Sequence, residues 1–370
     1  NDLRRDSLGS FIKKAVAMTR YLTEDEFRKL PDPKHYQGIQ EVDLKLVDDG
    51  YDDITAEQRV KTAEDLQKMT AGLSDKIIST TAGFYDDESE SVKVHSNGFE
   101  GVRSSTSFSV GVEVTVDDGN GGRPSDWDYA TTRYLRDLPD PASQARAAVD
   151  RALAKVGQTK IESGTMDMLV VNRAAANPIF AMLGPMNGRS LQQKRSYLDG
   201  KLGEKITSEH LTLIDDPFVE RGLGSSLYDG EGMARHKRTL IDKGVLSEYL
   251  IDCYYARKLG VEPTGGSTSN LTLAYGDKSL EQMIAQVGRG ILVTSFIGGN
   301  TNGTTGDYSW GLIGMLIEDG KIVKPVNEMN ISGSLEGLWA NLVEVGNDVY
   351  EYSSLRRPSL HFKDVQFAGL

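Results

Sequence analysis

Residues 102–116, VRSSTSFSVGVEVTV, alternate polar and apolar side chains from Phe108 onward. A period of two is typical of a β-strand with one face on a core. The segments 76–85, 91–95 and 121–134 show the same period, with turn sequences before and after residues 102–116. We therefore predict a four-stranded antiparallel meander in this part of the chain.

Helical patterns flank the predicted meander. Thr55 and Gln58 have the spacing of a capping box, and apolar residues recur at helical spacing up to about residue 73. Pro141 follows an Asp and is suited to begin a second helix, which Gly157 would end. The two helices and the meander together predict an α+β domain at about residues 50–160.

The segments before and after this domain have different sequence patterns. Residues 161–370 are rich in predicted strands with inserted helices and lack a βαβ rhythm, which predicts mixed or antiparallel sheets. Residues 7–21 have the pattern of an amphipathic helix. A connector with one strand at 40–47 is predicted to follow. The fold class is therefore α+β, with residues 1–49 preceding two larger units.

Composition excludes several classes of function. The chain has 42 Lys and Arg against 54 Asp and Glu, a net charge of −12. Nucleic-acid binding draws most of its affinity from basic contacts to phosphates, so we expect no nucleic-acid partner. No window approaches the roughly 20 apolar residues of a membrane helix, so no membrane association is expected. Cys253 is the only cysteine, which fits a cytoplasmic protein.

The residue types that bind zinc or perform nucleophilic catalysis are poorly placed. No two of the five histidines lie close together in the sequence, at His35, His95, His210, His236 and His361. Metal ligands usually recur at short spacings such as i and i+4 on a helix. Cys253 lies between bulky apolar residues and is expected to pack as a small hydrophobe. No catalytic residue and no metal ligand is therefore predicted in this chain.

Residues 298–311, GGNTNGTTGDYSWG, are predicted to form a long loop between strands at 290–297 and 308–318. The glycines can adopt positive φ, which suits a simple connection. Long loops also often have a function, and here glycine would let a ligand backbone approach closely. Length alone leaves the two interpretations equal.

Several blocks of the sequence together resemble the TldD/PmbA family. They include residues 225–260, SSLYDGEGMARHKRTLIDKGVLSEYLIDCYYARKLG, the glycine-rich segment, DGKIVKPV at 319–326, and SSLRRPSLHFKDVQFAG at 353–369. The likeness is dense over about residues 160–370 and looser over 50–160. It implies a PmbA/TldD-like multi-domain architecture, in which residues 1–49 are the remnant of an N-terminal family domain and a connector.

The resemblance also distinguishes two branches of the family. TldD carries HExxxH on a helix after the first strand of its C-terminal domain and is a zinc metalloprotease, whereas PmbA, also called TldE and described as a modulator of DNA gyrase, lacks it. The corresponding segment here is NPIFAMLGP, residues 177–185, which has no His and no acid. Pro185 would also end the helix before a second ligand. The resemblance therefore indicates the TldE/PmbA branch.

The function implied is that of a non-catalytic subunit in a TldD/TldE-type zinc metalloprotease complex that degrades or trims peptides. The partner would be a TldD-type subunit that holds the zinc, and the chain alone would form a homodimer. The residues expected to contact the peptide substrate are Gly298, Gly299, Asn300, Gly306, Asp307, Asp229 and Glu231.

Three questions stay open from the sequence. The carboxylates of Asp229 and Glu231 are equally suited to capping local backbone. The chain could instead be a metallopeptidase by itself, with separated ligands such as Glu231 and His236. It could also be a peptide-binding scaffold without a role in proteolysis.

Overall fold

The computed structural model describes residues 4–370, and of Arg5 it describes only the backbone. The α-helices of this range are α1 (Arg5–Thr19), α2 (Ala56–Ala71), α3 (Pro141–Ala154), α4 (Ala176–Leu183), α5 (Gly188–Gln192), α6 (Cys253–Leu259), α7 (Leu280–Ile284) and α8 (Leu335–Ala340). The β-strands are β1 (Ile77–Val94), β2 (Glu100–Val116), β3 (Ser125–Thr132), β4 (Gly164–Val170), β5 (Leu213–Asp216), β6 (Arg238–Asp242), β7 (Val245–Leu246), β8 (Asn270–Leu273), β9 (Arg289–Thr301), β10 (Asp307–Glu318), β11 (Lys321–Ser334), β12 (Leu342–Val345), β13 (Leu355–Arg356) and β14 (Leu360–Ala368).

The part of the chain from α2 to α3, called the central domain below, contains a three-stranded antiparallel sheet in the order β1-β2-β3. The prediction of four strands is wrong because segments 76–85 and 91–95 belong to the single strand β1, which is 18 residues long. The two segments are separated by the acidic run DDESE at 86–90. In the structure this run pairs with β2 without interruption, and most of its side chains are half-buried or exposed, so charged residues are tolerated there.

Helices α2 and α3 pack against this sheet and against each other. The predicted capping box of α2 is present, because Thr55 and Gln58 each bond to the backbone of the other. Among the apolar residues that recur at helical spacing, Leu66 is buried, but Val60 and Met69 are 59% and 42% exposed. The inward face of α2 is therefore narrower than its apolar pattern indicated.

The part of the chain from β4 to β14, called the third domain below, contains a mixed six-stranded sheet in the order β11-β10-β9-β4-β14-β12. β4 and β9 are parallel, and the other pairings are antiparallel. β11 also pairs with β14, so five of the strands close on themselves. A second sheet has the order β13-β8-β5-β6-β7. Mixed sheets with inserted helices confirm the predicted α+β class.

Three local sequence patterns have different outcomes. A helix is present near residues 7–21, although its apolar stripe is exposed, with Leu8, Ile12 and Val16 at 52%, 50% and 52% exposure. Residues 40–47 form no strand, because Lys45 has a φ of +50° and the segment makes only isolated backbone bonds to Thr106 and Arg221. The sequence of residues 335–345 has a helical pattern, but α8 ends at Ala340 because the following residues pair with β14 as β12.

Candidate functional site

A cleft of about 350 Å³ lies between the central and third domains. Strand β3 and the end of α3 form one side, while α4 and the middle of β9 form the other. Its lining residues are Asp126, Trp127, Lys155, Arg173, Ala174, Ala176, Asn177, Phe180, Thr294, Ser295 and Phe296. We call it the α4–β9 cleft.

Helix α4 presents a surface without metal-binding side chains to this cleft. Its other face packs into the core through Ile179 and Met182, which are each 1% exposed. Asn177 is exposed and Phe180 is 58% exposed on the cleft side. The helix ends at Leu183, immediately before a 3₁₀ turn that contains proline. The prediction that this helix ends before Pro185 is confirmed.

The α4–β9 cleft does not fit a zinc ion. Its lining contains no His and no Cys, and its one carboxylate, Asp126, is engaged by two cations. Zinc sites in proteins use Cys, His and carboxylate ligands, at least three of them from the protein. Within residues 4–370, no group of three or more His, Cys, Asp or Glu side chains could hold a metal ion.

Strand β9 has an unpaired edge beside α4. On one side it pairs with β10 along nearly its whole length. On the other side β4 pairs only with its first residues, up to Val293, whose carbonyl also accepts the N–H of Val171 at 3.1 Å. From Thr294 to Thr301 no described strand covers this edge. Backbone donors and acceptors are thus available for another extended chain next to the helix.

Two cations share one carboxylate at the floor of the cleft. Lys155 Nζ lies 2.9 Å from Asp126 Oδ2, and Arg173 donates to Asp126 Oδ1 at 3.1 Å. The side chains of Asp126, Lys155 and Arg173 are only 7%, 8% and 12% exposed. Burial by itself would raise the pKa of Asp126, but Arg173 and Lys155 outweigh burial and hold this pKa below its usual value. We call Lys155 and Arg173 the basic floor.

The glycine-rich segment is a shorter loop than predicted. β9 continues through Thr301 and β10 begins at Asp307, so only residues 302–306 connect them. Gly298 and Gly299 have φ of +127° and +128°, and they pair with β10 despite this conformation. The loop packs on the protein, since the Gly303 carbonyl accepts from the Tyr197 N–H at 2.9 Å. The prediction of a long loop is therefore wrong, because most of the glycines in this segment belong to β9 or β10.

The predicted substrate-binding residues of this segment are in different environments. Gly298, Gly299 and Asn300 are exposed on β9 and extend it beyond the cleft wall at Phe296. Asp307 is exposed at the start of β10, on the far side of the short loop. Gly306 is buried, and a Cβ there would lie 3.1 Å from the ring of Tyr197. The strand residues are the ones that could contact a peptide in the cleft.

The other two predicted residues lie in a different part of the third domain. Asp229 lines a separate cleft of about 340 Å³ next to the N-terminal connector, and its Oδ1 accepts the N–H groups of Glu231 and Met233. Glu231 Oε2 accepts the Cys253 N–H at 2.8 Å. Burial raises the pKa of Glu231. Asp229 thus caps local backbone, one of the two interpretations left open by the sequence, whereas Glu231 accepts from the first residue of α6, 22 positions away along the chain.

The alternative ligand pair, Glu231 and His236, receives no support from the geometry. His236 is exposed and lines the cleft next to the connector, while Glu231 is held by Cys253. Cys253 is 3% exposed and packs as the sequence predicted. Burial and then Glu231 raise the pKa of its thiol to about 12.

Sequence reasoning missed the basic floor. Asp126, Lys155 and Arg173 come from β3, from the end of α3 and from the turn before α4. The only local signal is an Asp on the inward side of a strand, which needs a charged partner if it is buried. No spacing rule identifies partners 29 and 47 positions away along the chain.

Comparison with known proteins identifies this architecture. Residues 163–369 match the family model described as the PmbA/TldA metallopeptidase C-terminal domain, and residues 49–156 match the PmbA/TldA metallopeptidase central domain. The chain is therefore a metallopeptidase-like protein. It belongs to the PmbA/TldD family, as its sequence blocks indicated.

Individual relatives agree with this assignment. Metalloprotease PmbA of Escherichia coli O157:H7 is 29% identical, and the match covers 100% of this chain and 82% of the relative. A Bacteroides thetaiotaomicron protein called a modulator of DNA gyrase has a crystal structure with a TM-score of 0.97, 42% identity, and coverage of 100% and 84%. TldE of Thermococcus kodakarensis shares the fold, with a TM-score of 0.86, 23% identity, and coverage of 100% and 86%.

In residues 4–370 none of the helices combines the length and the apolar character that crossing a bilayer requires.

Proposed function

We propose that this chain is the non-catalytic, TldE-type subunit of a TldD/TldE-type zinc metalloprotease complex that degrades or trims peptides. One observation carries the proposal. The α4–β9 cleft combines a helix that has no metal-binding side chain with the unpaired edge of a strand. A peptide can bind in such a place, but zinc-assisted hydrolysis needs ligands from elsewhere.

The unpaired edge of β9 suits a peptide in extended conformation. Main-chain hydrogen bonds to an exposed strand edge supply affinity without requiring a particular sequence. Phe180 offers an apolar contact on the helix side, since more than half of its surface is exposed. Gly298 and Gly299 continue the edge without side chains, which permits close approach of the peptide backbone.

The zinc and the general base are proposed to come from a TldD-type partner. The similarity to proteins named metalloprotease PmbA and TldE supports this part of the proposal. We further propose that the chain alone forms a homodimer and that the complex is cytoplasmic, since a single cysteine needs no oxidising compartment.

Metal analysis and reconstitution test whether the zinc and the catalytic activity belong to the TldD-type partner. The chain and a TldD-type subunit from the same source are purified separately and together, and zinc and peptide cleavage are measured for each preparation. We expect less than one zinc per chain here and cleavage only by the mixture. One tightly held zinc per chain that survives brief chelation, together with cleavage by this chain alone, would show that it is a metallopeptidase by itself.

Substitution in the cleft tests peptide binding directly. Phe180→Ala should weaken binding of a fluorescent, neutral, C-terminally amidated hexapeptide several-fold in an anisotropy titration. Phe11→Ala is the matched control, because Phe11 is 67% exposed on α1 and lies outside the lining of the cleft. Equal binding by both variants and the unaltered chain would contradict this location. Binding without any cleavage by the mixture would favour a scaffold with no proteolytic role.

A further inference from the structure

We propose that the basic floor of the α4–β9 cleft binds a carboxylate group of the peptide. This inference rests on the proposed function, because it names the chemical class of peptide that the cleft prefers. Lys155 and Arg173 both line the cleft, and a single carboxylate, that of Asp126, lies between them.

Positive charge exceeds negative charge around this floor. The charged groups that act on one another here are the cations Arg151, Lys155, Arg173 and Arg357 and the carboxylates Asp126 and Asp128. Arg151 is paired with Asp128 at 2.7 Å. Asp126 is therefore the one carboxylate of this group that pairs with the two cations of the basic floor. The excess is local, since the whole chain has a net charge of −12.

Arg357 adds a buried positive charge behind the floor. Its side chain stacks on Tyr350 at 4.6 Å, and it donates to the Arg173 carbonyl at 3.2 Å. Among the described residues no carboxylate forms an ion pair with Arg357, which is 8% exposed. Burial lowers the pKa of Arg357 and of Arg173. Buried cations without a full set of counter-charges favour the arrival of an anion.

The fixed orientation of the Arg173 guanidinium suits a planar carboxylate better than a spherical anion. Its guanidinium lies over the ring of Trp127 at 4.3 Å, and it also donates to the Trp127 carbonyl at 2.7 Å. These contacts hold the guanidinium plane in one orientation. A planar guanidinium recognises planar carboxylates through directed hydrogen bonds, and an ordered one loses little entropy on binding.

A peptide offers carboxylates from two sources. One is its C-terminus, and the other is an Asp or Glu side chain. Three labelled hexapeptides of otherwise neutral sequence distinguish these sources: one with a free C-terminal acid, its C-terminal amide, and the amide with one internal Asp. Anisotropy titrations on the unaltered chain, at low and at moderate salt, measure each affinity.

We expect the free acid or the Asp-containing amide to bind at least about 5-fold more tightly than the neutral amide, with the advantage shrinking at higher salt. The peptide that gains identifies the source of the carboxylate. Arg173→Gln should remove this advantage, while Asp126→Asn should increase it, because the competing acid is lost. Arg189→Gln is the control, since Arg189 is exposed and lies outside the lining of the cleft.

The outcomes separate this inference from the proposed function. Equal binding of all three peptides by the unaltered chain overturns the carboxylate site but leaves peptide binding intact. No binding of any peptide overturns both. Melting curves identify variants that do not fold, and the three-peptide comparison on the unaltered chain decides the question without them.

Discussion

Arg238 and Asp215 form an ion pair in the interior of the third domain. Arg238 Nε donates to Asp215 Oδ2 at 3.0 Å, and the two side chains are 6% and 2% exposed. Both groups have further partners, since Arg238 also pairs with Glu248 at 2.8 Å and Asp215 Oδ1 accepts the Ser269 N–H at 2.7 Å. The pair therefore joins β5, β6 and the segment before β8.

Arg238→Met should destabilise the protein by about 3–5 kcal/mol, because it leaves the carboxylate of Asp215 buried without its counter-charge. Urea unfolding measures the change in the free energy of unfolding. Lys61→Met removes one partner of an exposed pair with Asp65 on α2 and should cost no more than about 0.5 kcal/mol. Similar effects of the two substitutions would contradict this account of the pair.

Gly299→Ala should destabilise the protein more than Gly298→Ala. Both glycines have φ near +128°, which costs other residues about 1–3 kcal/mol. A Cβ on Gly299 would also lie 2.1 Å from the Ser309 carbonyl oxygen, whereas a Cβ on Gly298 would meet nothing within 4 Å. Thermal melting of both variants tests the order, with Gly184→Ala as a control in open space with ordinary φ. The reverse order would refute the pairing seen here.

Cys253 should be unreactive in the folded protein. Its thiol is buried, and burial together with Glu231 raises its pKa to about 12, so little thiolate is present near neutral pH. An aromatic disulfide reagent at mildly alkaline pH should label it only after unfolding in concentrated guanidinium chloride. Complete labelling of the folded protein within minutes would show that this region opens readily.

Glu231→Gln should stabilise the protein increasingly as pH rises. Burial raises the pKa of Glu231 above its ordinary value of 4.5, so the folded state holds this proton more tightly than the unfolded state. Between 4.5 and the higher pKa of the folded state, the contribution of Glu231 to the free energy of unfolding falls with increasing pH. Gln cannot titrate, but its oxygen still accepts the Cys253 N–H. Urea unfolding across this pH range should show that the free energy of unfolding of Glu231→Gln exceeds that of the unaltered chain by a margin that grows with pH. A margin that stays constant would contradict the raised pKa.

Duplex DNA should bind only weakly, with a Kd of about 10⁻⁴ M or higher at physiological salt. The basic run at residues 235–238 is short and has the sequence pattern of a solvated strand face, but it is in part internal. Arg238 is buried in its ion pair, and Arg235 is half-buried with hydrogen bonds to Ser267. A micromolar complex that weakens steeply with salt would show that the basic groups can be reached by phosphates.

The sequence predicts helix starts and turns well where the residues that determine them lie within a few positions of one another. Thr55 and Gln58 specify the start of α2 through their own hydrogen bonds, and Ser279 and Gln282 do the same for α7. The sequence Asp242-Lys243-Gly244 is typical of a turn, and Gly244, at a φ of +84°, lies between β6 and β7. These features depend on backbone chemistry that neighbouring residues determine.

Predictions failed where distant partners decide the conformation. Leu342 continues a helical pattern, yet pairing with Phe362 makes it part of a strand. The glycines at 298 and 299 have the composition of a loop, yet β10 holds them in a ladder. The basic floor has the same origin, since three separate segments bring its charges together. Pairing across the sheet and between domains is invisible to a local pattern.

The closed sheet of the third domain implies an order of events in folding. Thr165 on β4 bonds to Gln366 on β14, a residue 201 positions away along the chain. The strands of the central domain, in contrast, follow one another in the order in which they pair. Contacts between distant segments form slowly because a long loop must close first. The central domain is therefore expected to acquire its structure early. Until β14 pairs with it, the edge of β4 stays unpaired in the partly folded chain, where it can pair with other chains and cause aggregation.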